Sequence, residues 1–154
     1  MSAKPGTPEC FFCRRLELPP AEQDPLIYED SLVHVTHELD EAAATYLGTV
    51  VIQTKRHTEA GLSSLTDEEG ERIGQLVAQV SRALRELVGA AWCYTYCFTE
   101  RYQHVHQFVV ARHPQTPPEH VRLGVTEWAG APRGNPEEIR GLARALAERV
   151  GVTA

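Results

Sequence analysis

In Gln103-His104-Val105-His106-Gln107-Phe108-Val109-Val110-Ala111-Arg112, two histidines alternate with other residues and run into a β-branched tail. The composition predicts a strand over Val105–Ala111, and a strand sends successive side chains to opposite faces. His104, His106, Phe108 and Val110 then share one face. Two imidazoles two residues apart on one rigid element suit a metal pair, or a nucleophile beside a partner that orients it. The same spacing also describes two unrelated surface histidines on an edge strand, so the motif needs support from elsewhere in the chain.

That support begins at Cys10-Phe11-Phe12-Cys13. Cys-x-x-Cys places two thiolates within reach of one tetrahedral zinc, which needs two further ligands. His57 and one member of the His104/His106 pair are candidates. Two other readings are a pair of buried cysteines beside two phenylalanines, and a thioredoxin-like redox pair. The redox reading fits poorly, because no strand precedes the motif and no helix is predicted to open at it.

Outward from these motifs, Leu26–Tyr28 and Leu32–Val35 read as short strands around the turn Glu29-Asp30-Ser31. Gly48–Gln53 reads as a buried strand ending at Lys55-Arg56-His57. Thr66 and Glu69 form a capping box for a helix whose stripe is Ile73, Leu76, Val77, Val80, Leu84 and Leu87, ended by Gly89. Trp92–Phe98 is a further strand, and the Pro- and Gly-rich stretch from Arg112 to Gly134 a loop. Asn135, Pro136 and Glu138 open a last helix with Ile139, Leu142, Ala143, Leu146 and Val150 on its apolar side. These elements predict an α+β domain over residues 10–154, after a flexible stretch over 1–9: a mainly antiparallel sheet, a central helix and a C-terminal helix.

The 154 residues suffice for one domain with its own core, and 42% hydrophobic with 23% charged residues is ordinary for a globular chain. No apolar run approaches a membrane span and no secretory h-region opens the chain, so a cytoplasmic protein with reduced Cys10, Cys13, Cys93 and Cys97 is expected, with no membrane partner. A net charge of −6 argues against a nucleic-acid partner. Lys4 and Lys55 are the only lysines; arginine, suited to bidentate phosphate contacts, carries the rest of the positive charge.

Taken in order, these pieces resemble the histidine-triad (HIT) family from about Cys10 to about Arg133. Cys-x-x-Cys is followed by Ile27-Tyr28-Glu29-Asp30, then Tyr46–Ile52, Lys55-Arg56-His57, Leu65–Glu69 and the His-x-His strand ending at Arg112. The likeness is to the zinc-containing Cys-x-x-Cys branch and its dinucleoside polyphosphate hydrolases. It implies a HIT-like fold and a nucleotide hydrolase or nucleotidyl transferase acting on an adenosine-containing small molecule. It also implies His106 as a nucleophile that attacks the α-phosphorus and forms a nucleotidyl-histidine intermediate, one ring nitrogen donating to the main-chain carbonyl of His104. A structural zinc on Cys10, Cys13, His57 and His104 and a homodimer are further implications.

One departure bears on function. Phe108 stands where the family motif has its third histidine, and phenylalanine neither donates a proton nor contacts phosphate. Related hexose-1-phosphate uridylyltransferases carry glutamine there, so nucleotidyl transfer does not require the third histidine. Gln107 should face the opposite side of the strand, and Ala111 replaces the usual proline, a milder change. The alternative is therefore a nucleotide-binding HIT-like protein with little turnover. Thr99, Arg101, Gln103 and Phe108 are the candidate substrate contacts. His34 and His37 are candidates to line a nucleoside pocket; Cys93 and Cys97 read as core residues; Trp128 is a candidate to reach a partner's site or to pack on the last helix.

Overall fold

The structure is a computed structural model that describes residues 10–151, so the stretch 1–9 expected to be flexible lies outside the described residues. In chain order the elements are α1 (Phe11–Glu17), β1 (Leu26–Glu29), β2 (Val33–His37), β3 (Thr45–Tyr46), β4 (Thr49–Thr54), α2 (Asp67–Val88), β5 (Trp92–Tyr96), β6 (His106–Arg112), β7 (Arg133–Gly134) and α3 (Pro136–Ala147). Five strands form one antiparallel sheet in the order β1-β2-β4-β6-β5, and β3 pairs β7 in a separate ribbon. The expected α+β architecture, with an antiparallel sheet, central helix and C-terminal helix, is the one observed.

Both long helices start as the sequence dictates. Thr66 Oγ1 accepts from the Glu69 amide at 3.1 Å while Glu69 Oε2 accepts from the Thr66 amide at 2.9 Å. Asn135 and Glu138 repeat the box at α3, with Pro136 at its first position. Gly89 ends α2 in the left-handed region, φ 68°, where a side chain would be strained. Glu69 does a second job: its carboxylate accepts the Arg56 guanidinium at 3.0 and 2.7 Å, tying the end of β4 to the start of α2.

The two faces of the sheet differ. Val33, Val35, Val50, Ile52, Val109 and Ala111 point to one face, where Ile73, Leu76, Val80 and Leu84 of α2 and Ala143 and Leu146 of α3 cover them. Each large apolar side chain so buried stabilises the fold by about 1.5–3 kcal/mol. Gly48 permits the closest approach: at φ 102° its amide plane turns so that its carbonyl accepts from Ala111, and a Cβ would lie 2.7 Å from that of Ala111. The opposite face carries His34, Gln53 and His106 at consecutive cross-strand positions of β2, β4 and β6, with Phe108 one pleat further along β6, opposite Val51.

Some boundaries differ from those read in the sequence. β2 runs on to His37, β5 stops at Tyr96 rather than Phe98, and β6 starts at His106, so His104 and Val105 precede the strand. A helix does open at the Cys-x-x-Cys motif, with Cys10 as its N-cap. At seven residues it is too short to show a period, and it forms through tertiary contacts rather than propensity. Among the described residues no helix is long and apolar enough to cross a membrane.

Candidate active site and metal centre

The first turn of α1 carries both cysteines to the polar face of the sheet. There Cys10 Sγ lies 3.5 Å from His104 Nδ1, and Cys13 Sγ lies 3.4 Å from both His104 Nδ1 and His57 Nδ1. All four side chains are buried, and their donor atoms lie within 4.8 Å of one another. A tetrahedral zinc with Zn–S of about 2.3 Å and Zn–N of about 2.0–2.1 Å has S···N edges of about 3.5 Å. The observed edges match that figure, and the thiolate–imidazole set is the chemistry zinc prefers, so the donors fit the ion. The His104 Nε2–H donates to the Thr54 carbonyl at 2.6 Å, which leaves Nδ1 without a proton and turned to the other ligands. With four protein ligands the centre is closed and structural.

His106 follows one strand step further. Its Nδ1–H donates to the main-chain oxygen of His104 at 2.7 Å, so the lone pair is on Nε2. His104 thus joins the two parts of the site: its ring belongs to the cysteine cluster and its carbonyl sets the tautomer of His106. Burial lowers the pKa of both imidazoles, opposed in each by the bond to a carbonyl, and both rings are neutral near pH 7. Phe12 stacks on His106 with centroids 4.1 Å apart and planes 16° from parallel. The stack covers a ring face and leaves His106 only 5% exposed, while the Nε2 lone pair lies in the ring plane, away from the stacked face. Gln53 Nε2–H donates to the Phe12 carbonyl at 3.0 Å and fixes α1 in place.

The charged groups here are Arg15 and Glu38, neither of which the sequence motifs single out. Arg15, mostly buried, pairs with Asp24, and its charge acts on His106, Glu38 and His34. Burial pushes the Glu38 carboxyl up and Arg15 opposes the shift. A cavity of about 400 Å³ is lined by Phe11, Arg15, Leu18, Glu38, Asp40 and Thr45 among others. A larger one of about 780 Å³ follows the edge of β1 and includes His34, Lys55 and Arg144, but neither His106 nor any of the four metal-type ligands. His106 and the four metal-type ligands are likewise absent from the lining of the smaller cavity, which is linked to His106 through Arg15, whose charge acts on that imidazole.

The remaining candidates divide. Arg101 lies over Tyr102, whose ring centroid is 6.5 Å from that of His106. Thr99 packs on Gly61, and Gln103 offers its main-chain carbonyl to Thr58, so both serve the loop that delivers the strand. Gln107 turns away and donates to Thr95 Oγ1 at 2.6 Å. Phe108 sits beside His106 with ring centroids 5.8 Å apart. His37 is fully buried, donating from Nδ1 to the Glu38 carbonyl and accepting the Gly48 amide at Nε2; with both nitrogens used it lines no pocket. Cys93 and Cys97 pack against the main core. Trp128 packs on its own loop instead of the last helix, donating to the Val125 carbonyl at 2.9 Å.

No protein-family model matches the chain, and no curated protein matches it in sequence. Solved structures do match in fold. A zinc-bound histidine-triad family protein from Mycobacterium smegmatis superposes with a TM-score of 0.66 at 20% identity, over 93% of this chain and 96% of that one. A histidine-triad protein from Sinorhizobium meliloti gives 0.65 at 17% identity, over 94% of this chain and 100% of the other. A Hit-like protein involved in cell-cycle regulation from Bartonella henselae gives 0.62 at 16% identity, over 94% and 99%. At these identities the likeness is one of fold: the chain has the HIT-like fold, and the cysteine–histidine cluster fits a structural zinc.

Proposed function

We propose that the protein is a nucleotide hydrolase or nucleotidyl transferase in which His106 attacks the α-phosphorus of an adenosine-containing ester, anhydride or phosphoramidate. The observation that carries the reading is the His106 Nδ1–H bond to the His104 carbonyl, which leaves a neutral imidazole with its other nitrogen ready to attack. Attack forms a phosphorus–nitrogen bond and expels the rest of the substrate; water or another acceptor then releases the nucleotide. Glu38 and Phe11, in the smaller cavity, offer an acceptor for sugar hydroxyls and an aromatic face for the base. Zinc on Cys10, Cys13, His57 and His104 supplies a structural clamp. Those residues hold α1, and with it Phe12 and Arg15, against β6.

Incubation with dinucleoside polyphosphates and nucleoside phosphoramidates, with products read by mass, tests the reading. Nucleotide release together with a nucleotidyl adduct on His106 is expected, and neither from any substrate would overturn it. Phe108 is the observation that favours the second reading, a nucleotide-binding protein with little turnover; tight binding without products would select it. We further propose a cytoplasmic homodimer with α2 and the stretch Trp92–Phe98 near the two-fold axis, β5 being an outer strand of the sheet whose Trp92 is 66% exposed. A monomer in light scattering at micromolar concentration would refute the dimer.

A further inference from the structure

Phe108 replaces a polar group beside the nucleophile, and it does not stand alone. Tyr96 is its cross-strand partner, with ring centroids 5.2 Å apart and planes 28° from parallel. Phe98 continues the row at 5.5 Å and 25° from Tyr96. Three nearly parallel rings therefore lead away from His106 on the polar face of the sheet. Phe108 and Tyr96 pack against the buried cluster of Tyr46, Val110, Val125 and Ala131, which anchors the two inner rings. The row ends on an open ring: Phe98 is 54% exposed and joins none of the core clusters, so its outer face is available to a ligand. Phe98 lies beyond the end of β5, outside the strand edge that the proposed dimer would pair.

We propose that this row is a shelf for the leaving group, and that the substrates are nucleoside 5′-monophosphate esters whose leaving group is a flat aromatic or heteroaromatic oxygen acid. The inference rests on the nucleotidyl-transfer reading and adds the class of leaving group to it. His106 Nε2 forms the bond to phosphorus, and the phosphorus–oxygen bond to the aryl group breaks with its electron pair on the aryl oxygen. An aryl oxide is a weak enough base to leave without a proton from the enzyme, which suits a site with phenylalanine at this position. It takes its proton from water afterwards. A second water then attacks phosphorus, the imidazole recovers its electron pair, and the water's proton passes to solvent. The net reaction is ester plus water to nucleoside monophosphate plus phenol.

The test compares adenosine 5′-(phenyl phosphate) with adenosine 5′-(hexafluoroisopropyl phosphate), whose leaving alcohols are similar in acidity while only one is a ring. The wild-type protein should favour the phenyl ester by about tenfold in kcat/KM, and Phe98→Ala should cut that preference about three- to tenfold, the range expected for losing one ring contact. Phe98→Tyr, which keeps the ring, should retain it. Because Phe98 is exposed, the alanine variant should fold, and its melting temperature checks this. Equal kcat/KM for the two esters in the wild type, or an unchanged preference in Phe98→Ala, would overturn the shelf while leaving the nucleophile in place. If neither ester is turned over and no adduct forms on His106, the nucleotidyl-transfer reading itself fails and the shelf with it.

Discussion

The two faces of the five-stranded sheet are held by different physics. On one, two long capped helices cover a continuous layer of Val, Ile and Leu, and stability follows apolar area. On the other, a helix of seven residues is held by a cysteine–histidine cluster, one stacked ring and one hydrogen bond from Gln53. β6 serves both, because Val109 and Ala111 face the first and His106 and Phe108 the second. Reactive groups are thus displayed on a strand whose other side is fully committed to the core. Substitutions on the second face should change rates or metal content, with stability following only where the metal is lost, and substitutions on the first should change stability alone.

The sharpest separation is expected from His106→Ala. Turnover of any substrate should fall at least about a thousandfold, as for loss of a covalent nucleophile, while the melting temperature stays near wild type. Residual activity close to wild type would remove His106 from the mechanism.

Leu84→Ala probes the opposite face. Leu84 is fully buried against the sheet, so the truncation should cost about 3 kcal/mol in denaturant titration. That corresponds to a fall in melting temperature of about 6–12 °C. Zinc content should not change. A loss of zinc in a still-folded Leu84→Ala protein would show that the two faces are coupled.

Chelation should destabilise the protein from the opposite face. Metal analysis should find about one zinc per chain, and Cys13→Ser should abolish it. Removing zinc should lower the melting temperature by about 5–10 °C, the scale of a ligand present at a hundred times its Kd. Hydrogen exchange should show amides of α1 losing protection before those of α2. Identical melting curves before and after chelation would contradict the clamp.

The smallest effect belongs to the joint between β4 and α2. Burial alone would raise the Glu69 carboxyl, but the Arg56 fork and the Thr66 contacts hold it below the ordinary glutamate range. A carboxyl lowered on folding stabilises above its unfolded pKa, and that contribution is lost as the pH falls through the folded value. Glu69→Gln keeps a capping-box residue and removes only the charge. It should cost about 1 kcal/mol at neutral pH, Arg56 being partly exposed, and flatten the acid limb of stability. An unchanged acid limb would place that titration elsewhere.

Periodicity and local chemistry made the first face legible. The stripe from Ile73 to Leu84, the two capping boxes and the glycine at position 89 all act within a few residues of one another, and each appears where the sequence put it. The alternation around His106 likewise separated His106 and Phe108 from Gln107, because it depends only on the pleat. Tertiary structure decided the rest. Cys10 and His104 meet across 94 residues, and only the pairing of β4 with β6 and the docking of α1 bring their atoms together. The helix that opens at Cys10 is illegible in the sequence for the same reason, since packing at a distance forms it and no local pattern marks it. Arg15 and Glu38 carry no motif, and they become part of the site through burial in a shared low-dielectric surrounding. The row from Phe108 to Phe98 exists because antiparallel register sets Tyr96 opposite Phe108, a neighbour relation that sequence order does not contain.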